Sequence, residues 1–386
     1  MKTSTKLITI GIIALVVGIG GGIGIGFLIQ PQVADTYEIR YGGQYYPGEF
    51  LLEGYPDLWA TYDLNVEHRL FSSAGPGNDA LLAGEVDVNC GSDSKTVALF
   101  AAKPDEMLVI GTIQRGDRYA TVIADDATYT NWTDLVGQTV GTKLGTGAEQ
   151  VLLRYFETIP NLSWNNYSWV NADVNQLQGL LESDQIEAFT AWEPTPSIAV
   201  GQGVAKVMRR YGDIALTPAS LHTTKNFAYN NTGTIIRFLA AHLDKADMIT
   251  SDTTNAATIA AAASEARGAT ISAGAFELIY NTINFQIDFN ESIIEAIDDT
   301  AAFLLAQGKI SAIPDIVWDA RFVEAAKDLQ ASFGTPSTGT SVDFDQAVEL
   351  VIEKYFGIPA DGKLAIGIMS GTIVFGVVVQ LRRRKN

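Results

Sequence analysis

From Tyr37 to Tyr211, short apolar runs of strand length alternate with longer runs whose apolar residues recur at helical spacing. That alternation restricts the chain to a parallel sheet covered by helices. YEIRYG at 37–42 reads as the first strand, Phe50, Leu51, Tyr55, Leu58 and Trp59 share one helical face, and 65–71 returns as a strand. Gly75 to Gly77 with Asn78 begin a short helix ending at Gly84, followed by the strand VDVN at 86–89 and a helix opened by Gly91 to Ser94. Strands at 107–114 and 119–124 complete a first group. A second group runs from 131 to 211, with strands near 139–141, 167–171 and 186–190. Its helices carry the apolar sets Val151, Leu152, Tyr155, Phe156 and Leu177, Leu180, Leu181. Beyond about Asn226 the pattern is helical alone, at 232–243, 253–266, 272–283, 293–307 and 320–329, with no repeat period of 20 to 50 residues.

Two uncharged runs flank this body. Leu7 to Gln30 carries no charge and follows Lys2 and Lys6, the pattern of a signal peptide or signal anchor. As a helix it would reach roughly 36 Å, enough to cross a bilayer core. Leu364 to Leu381 is also uncharged and is followed directly by RRRKN, which fits a transmembrane helix with a positive cytoplasmic end. Both ends agree on one topology, with the body outside the membrane. The sequons at Asn131, Asn161, Asn166, Asn230 and Asn290 all fall in that external part.

Charge and composition narrow the function. Against 26 Lys and Arg stand 44 Asp and Glu, a formal charge of −18 that repels nucleic-acid phosphates, and the only basic cluster is the terminal one. Cys90 has no partner for a disulfide, and His68, His222 and His242 lack metal-ligand spacing, so a structural zinc site is not expected; no cofactor is expected either. The stretch GTKLGTGAEQ at 141–150 suggests a phosphate loop, yet a nucleotide loop needs lysine and a hydroxyl after its second glycine. Here Lys143 precedes both Gly145 and Gly147, and Ala148 and Glu149 hold the critical places. The glycines still expose amides at a helix start, a seat for a small carboxylate, sulfonate or nitrate group.

Several stretches follow one another in a familiar order: GGQYYP (42–47), YDLNVE, ALLAGEVDVNCGS (80–92), NWTDLVGQTVGT (131–142), the GTGAE loop, and IEAFTAWEP (186–194). Over about residues 36–330 the chain thereby resembles the nitrate/sulfonate/taurine/bicarbonate and thiamine-precursor group of ABC-transporter binding proteins. The resemblance implies a two-lobed α/β fold of the type II periplasmic-binding-protein kind. Lobe 1 is expected at 36–124 and 220–330, lobe 2 at 125–219, an extension at 331–362, a transmembrane helix at 364–381 and a tail at 382–386, behind a signal or anchor at 1–34. The C-terminal anchor departs from bacterial members and resembles archaeal surface binding proteins.

It also implies a non-enzymatic receptor that captures a small polar or anionic solute in the interlobe cleft and presents it to permease and ATPase subunits. In lobe 1 the expected contacts are Gly43, Gln44, Tyr45 and Tyr46, the helix start Ser92, Asp93 and Ser94, and Gln114 and Arg115 near the crossing, with Arg118 beside them. In lobe 2 they are Thr146, Gly147 and Ala148, and Trp192 with Glu193 from the AWEP turn. For Ser92 to Ser94 helix capping is an equal alternative, and for Trp192 and Glu193 so is packing. An aromatic thiamine precursor, or a sensor ectodomain, stays open as a second reading. Thiamine-pyrimidine synthases share the fold but carry a cysteine-rich motif and a cofactor-linked lysine and histidine that have no counterpart here.

Overall fold

The computed structural model describes residues 37–333 and 344–357. Two sheets form its framework. The first is laid down by β1 (Tyr37–Gln44), helices α1 (Pro47–Gly54) and α2 (Asp57–Ala60), β2 (Leu64–Phe71), α3 (Ala74–Leu82), β3 (Val88–Ser92), α4 (Asp93–Ala102) and β4 (Met107–Gly116). The second contains β5 (Tyr119–Ala124), β6 (Thr139–Thr142), α5 (Gly147–Glu157), β7 (Ser168–Asn171), α6 (Val174–Glu182), β8 (Ala188–Trp192), α7 (Thr195–Gly201) and β9 (Ala205–Arg210). The chain then returns to the first lobe as β10 (Ala219–Thr224), α8 (Lys225–Asn230), α9 (Thr232–Ser251), α10 (Thr253–Ala266), α11 (Ala273–Thr282), β11 (Ile283–Asn284), α12 (Glu291–Ala306), α13 (Arg321–Phe333) and α14 (Phe344–Phe356).

Strand order is β11-β4-β10-β3-β1-β2 in the first sheet and β7-β6-β8-β5-β9 in the second. β1 runs parallel to β2 and β3, and β6 parallel to β7 and β8, as helical crossovers require. The strands that return from the other lobe, β10 and β5, pair antiparallel with their neighbours. Helix starts are set by local chemistry. Pro47 presets the first turn of α1, Thr146 Oγ1 accepts the Ala148 amide at 3.3 Å, and Asn290 Oδ1 accepts the Ile293 amide at 3.1 Å.

The crossing between lobes is tightly clasped. Gly116 takes φ +92, a left-handed conformation suited to glycine, and its amide donates to Leu216 O at 2.7 Å. Asp117 Oδ1 accepts the amides of Tyr211 and Gly212 at 3.1 and 2.9 Å, and Arg118 Nε donates to Thr217 O at 2.8 Å. Both crossing segments are thus tied at one point.

Three features differ from the sequence reading. Strand 119–124, expected with lobe 1, pairs with β8 and β9, so the second sheet starts at Tyr119 and not after 124. The turn at Gly116 is what redirects it. The region after 226, read as helical, is preceded by β9 and β10 and contains the short β11. β10 (ASLHTT) was hidden because it buries polar side chains that find internal partners: Thr223 Oγ1 donates to Asp87 O at 2.7 Å, and His222 Nε2 lies 2.7 Å from Thr96 Oγ1. Within the expected extension, α14 packs Ala347, Val348 and Val351 into the core of the first lobe beside α9 and α13. The uncharged runs at 7–30 and 364–381 and the tail at 382–386 lie outside the described residues. Among the described residues no helix is long and apolar enough to cross a membrane.

Candidate binding site

Between the two sheets lies a small, partly open pocket, lined from the first lobe by Gln44, Tyr46, Ser73, Ala74, Ser92 and Lys95, and from the second by Tyr119, Thr146, Gly147 and Trp192. Its construction follows from where the strands end. Gln44 closes β1 and Trp192 closes β8, while Tyr46, Ser73, Ser92 and Thr146 are the N-caps of α1, α3, α4 and α5. Four helix N-termini therefore face one small space. Each brings first-turn amides without intrahelical acceptors and the positive end of its dipole. Thr146 is the only one of these caps whose side chain is engaged in capping its own helix, which leaves the Ser73 and Ser92 hydroxyls uncommitted to that task.

Two close approaches shape the pocket. A Cβ on Gly147 would lie 2.1 Å from the Tyr119 hydroxyl, so only glycine lets α5 start against that ring. Gln44 Nε2 donates to Cys90 O at 2.9 Å, which fixes the carboxamide at the pocket floor. Behind Tyr46 and Tyr119 sits Arg118, buried, with its guanidinium 5.5 and 5.2 Å from the two ring centroids. Its Nη1 is buried without a hydrogen-bond partner among the described residues. Burial pushes the Tyr119 phenol up to about 12 and raises Tyr46 as well, so both remain neutral hydroxyl donors.

The electrostatic sign of the pocket is positive. Lys95 is the charged side chain in the lining, and its ammonium has no ion-pair or hydrogen-bond partner among the described residues. Burial lowers its pKa, opposed by the negative charges of Asp79 and Glu149. Of the carboxylates near the pocket, Asp93 and Glu149 are engaged elsewhere. Asp93 accepts from Thr300 Oγ1 at 2.8 Å, the Ser94 amide at 2.8 Å and Gln150 Nε2 at 3.4 Å. Burial raises its pKa, against those hydrogen bonds. Glu149 accepts the Gly145 amide at 2.7 Å and pairs with Lys309 at 3.3 Å.

Of the residues singled out in the sequence, Gln44, Tyr46, Ser92, Thr146, Gly147 and Trp192 come together here. The others have structural engagements away from the lining. Gly43 faces the lobe interior, where a Cβ would lie 2.4 Å from His68 Nε2, and Tyr45 is exposed beside Phe50. Asp93 is held as above, and Ser94 Oγ lies 3.1 Å from Ser92 Oγ. Gln114 is buried in β4 opposite Ala219, and Arg115 clamps Asp288 at 2.7 and 3.1 Å. Ala148 is fully buried in the core. Glu193 pairs with Arg210 at 3.1 Å and accepts the Ser197 amide at 3.1 Å, its pKa raised by burial. Lys143 pairs with Asp173 at 2.7 Å.

Ser73, Ala74, Lys95 and Tyr119 line the pocket without having been identified from sequence. The serine pair ahead of AGPGN, directly after a strand-like run, was the available signal for Ser73 and Ala74.

Nucleophilic chemistry finds little support in this geometry. Burial pushes the Cys90 thiol up to about 12, far from a reactive thiolate. His222 engages Thr96 rather than Ser92, and burial lowers its pKa to about 3. Among the described residues no group of three or more His, Cys, Asp and Glu side chains is placed to hold a metal ion.

Comparison with known proteins places this architecture. A family model described as NMT1/THI5 like matches residues 63–256. Among solved structures, the alkanesulfonate-binding protein SsuA of Xanthomonas axonopodis pv. citri bound to MOPS superposes with a TM-score of 0.62 at 17% identity, covering 73% of this chain and 96% of that one. The periplasmic aliphatic sulphonate binding protein SsuA of Escherichia coli gives 0.62 at 18% identity, with 73% and 96% covered. A sulfonate ABC transporter's periplasmic sulfonate-binding protein SsuA from Methylobacillus flagellatus gives 0.59 at 16%, with 80% and 99% covered. Among curated proteins no sequence match is found.

Proposed function

The chain belongs to the NMT1/THI5-like family, and from that membership we propose that its body is the solute-binding component of an ABC importer, working outside the cytoplasmic membrane on a small anionic solute. The observation that carries the reading is the convergence of four helix N-termini and the unpaired Lys95 on one interlobe pocket. Such a site favours a negative headgroup, because amides, hydroxyls and an ammonium all donate while Asp93 and Glu149 are already engaged. Trp192, with the rings of Tyr46 and Tyr119, supplies apolar walls for a short tail.

Binding then works by differential contact. The headgroup is held by Ser92 and Lys95 from one lobe and by the backbone amides of Thr146 and Gly147 from the other, the Thr146 hydroxyl being spent on Lys143 O at 2.6 Å, so it is satisfied only when the lobes close. The clasped crossing at Gly116–Arg118 and Tyr211–Thr217 is the hinge about which they do so. A sulfonate, the class that the similar SsuA proteins are named for, fits this donor set, and a carboxylate or nitrate shares its chemistry. Delivery to a permease with its ATPase, and retention at the membrane by the uncharged terminal runs, complete the proposal.

The test is a thermal-shift panel of small alkanesulfonates, matched primary amines, neutral alcohols and aromatic pyrimidines. A ligand at 100 times its dissociation constant adds about 2.7 kcal/mol of stability. Shifts confined to the anions, with the solute recovered unchanged, support the reading; shifts confined to amines or pyrimidines, or turnover of the solute, refute it.

A further inference from the structure

Helix α5 does two things at once. Its first turn, with Thr146 and Gly147, lines the pocket, while the next turns carry Gln150 and Arg154, four residues apart on one face, against the other lobe. Gln150 Nε2 donates to Thr300 Oγ1 of α12 at 2.8 Å and reaches Asp93 Oδ2 of α4 at 3.4 Å. Thr300 in turn donates to the same Asp93 oxygen at 2.8 Å. Arg154 Nη2 approaches Thr300 Oγ1 at 3.3 Å, and its guanidinium lies 4.8 Å from the Phe303 ring one turn further along α12.

This polar junction is incompletely satisfied. Gln150 Oε1 and Arg154 Nε are buried without hydrogen-bond partners among the described residues. An open arrangement would give both atoms back to water, so the closed junction gains hydrogen bonds across the lobes and loses hydration on two groups. Gain and loss of that kind are similar in size, which leaves closure near balance until a ligand at the start of the same helix tips it.

We propose that Gln150 and Arg154 of α5, with Asp93 and Thr300 of the facing lobe, form an interlobe latch that sets the free energy of closure and hence the affinity for solute, through residues that do not line the pocket. The proposal rests on the reading of the pocket as a cleft that closes on its ligand. These four are positioning residues: weakening their contacts lowers the population of the closed, binding-competent form, and the apparent dissociation constant rises in proportion.

The test uses spin labels at Asp105→Cys and Asp126→Cys, exposed positions at the ends of β4 and β5 far from the hinge, with Cys90 buried and unreactive. The interlobe distance distribution is measured with and without the best anionic ligand from the thermal-shift panel, beside its dissociation constant. Thr300→Val, nearly isosteric, is expected to shift the ligand-free distribution toward open forms and to weaken binding about five- to tenfold. Thr300→Ser, which restores the hydroxyl, should return both quantities to the parent values. Arg154→Met on the partly exposed face of α5 provides a second disruption that does not depend on the packing of Thr300. Unchanged distances and affinity in Thr300→Val and Arg154→Met, with the parent protein binding normally, overturn the latch. Failure of the parent protein to bind any solute instead overturns the receptor reading itself.

Discussion

Replacing Lys95 by Met keeps most of the side chain's volume and removes its charge, which isolates the electrostatic part of the site. Because the ammonium has no partner among the described residues, the substitution breaks no internal bond, and its effect should appear in binding rather than in folding. A hydrogen bond to a charged group contributes about 1.5–3 kcal/mol net, equivalent to roughly 10- to 150-fold in affinity. A Coulomb estimate for charges 4 Å apart near a protein surface, about 4 kcal/mol, sets the ceiling. Half-burial of Lys95 places the expected loss in the lower part of that range. Isothermal titration at two salt concentrations measures it: the parent affinity should fall as salt rises, and that of Lys95→Met should respond less. Lys95→Arg should recover part of the loss. The sign with pH also follows. Burial lowers the pKa of the free ammonium, and a bound anion raises it, so the contribution is complete below the free value and lost as pH rises through the bound value. An anion that binds Lys95→Met as tightly as the parent, or a parent affinity that increases with pH, rules out Lys95 as the group that holds the anion.

Three further outcomes are expected. Gly147→Ala places a Cβ 2.1 Å from the Tyr119 hydroxyl, so calorimetry should show at least tenfold weaker binding, with about 1–3 kcal/mol lost in chemical denaturation; an unchanged affinity would mean that this contact does not shape the pocket. Arg115→Gln removes the clamp on Asp288 and should cost about 2 kcal/mol in denaturation while leaving ligand affinity within twofold, since Arg115 does not line the pocket. His222 is buried neutral, its pKa lowered from 6.5 to about 3. The stability it contributes is complete above about pH 6.5 and is lost as pH falls toward about 3, by up to tenfold in the folding equilibrium per pH unit. Denaturation midpoints across that window should fall more steeply for the parent than for His222→Leu.

Much of the fold was legible because its helices bury one apolar face and its parallel strands are short apolar runs bounded by glycine. Val151, Leu152 and Phe156 of α5 are core residues, as their spacing indicated. The strands that were missed or misplaced are those whose partners lie far along the chain. β10 reads as polar because His222 and Thr223 are satisfied internally, and β5 looks continuous with β4 until the turn at Gly116 sends it to the other sheet.

The lining of the candidate pocket was legible where a loop follows a strand and opens a helix, as at Gln44, Tyr46, Ser92, Thr146 and Gly147. Charge was harder to read. Arg115, Glu193 and Asp93 look functional in sequence, yet each is engaged by a partner distant in the chain: Asp288, Arg210 and Thr300. Lys95 is distinguished only by what it lacks in space, a property no spacing rule records.

A crystal structure of the protein with a short alkanesulfonate shows directly how the anion sits between the lobes. The sulfonate oxygens are expected within about 3.2 Å of the Gly147 amide and the Lys95 ammonium, with the alkyl tail against Trp192 and the two lobes closed. A ligand bound with its charged end away from the helix N-termini, or held outside the interlobe pocket altogether, would contradict it.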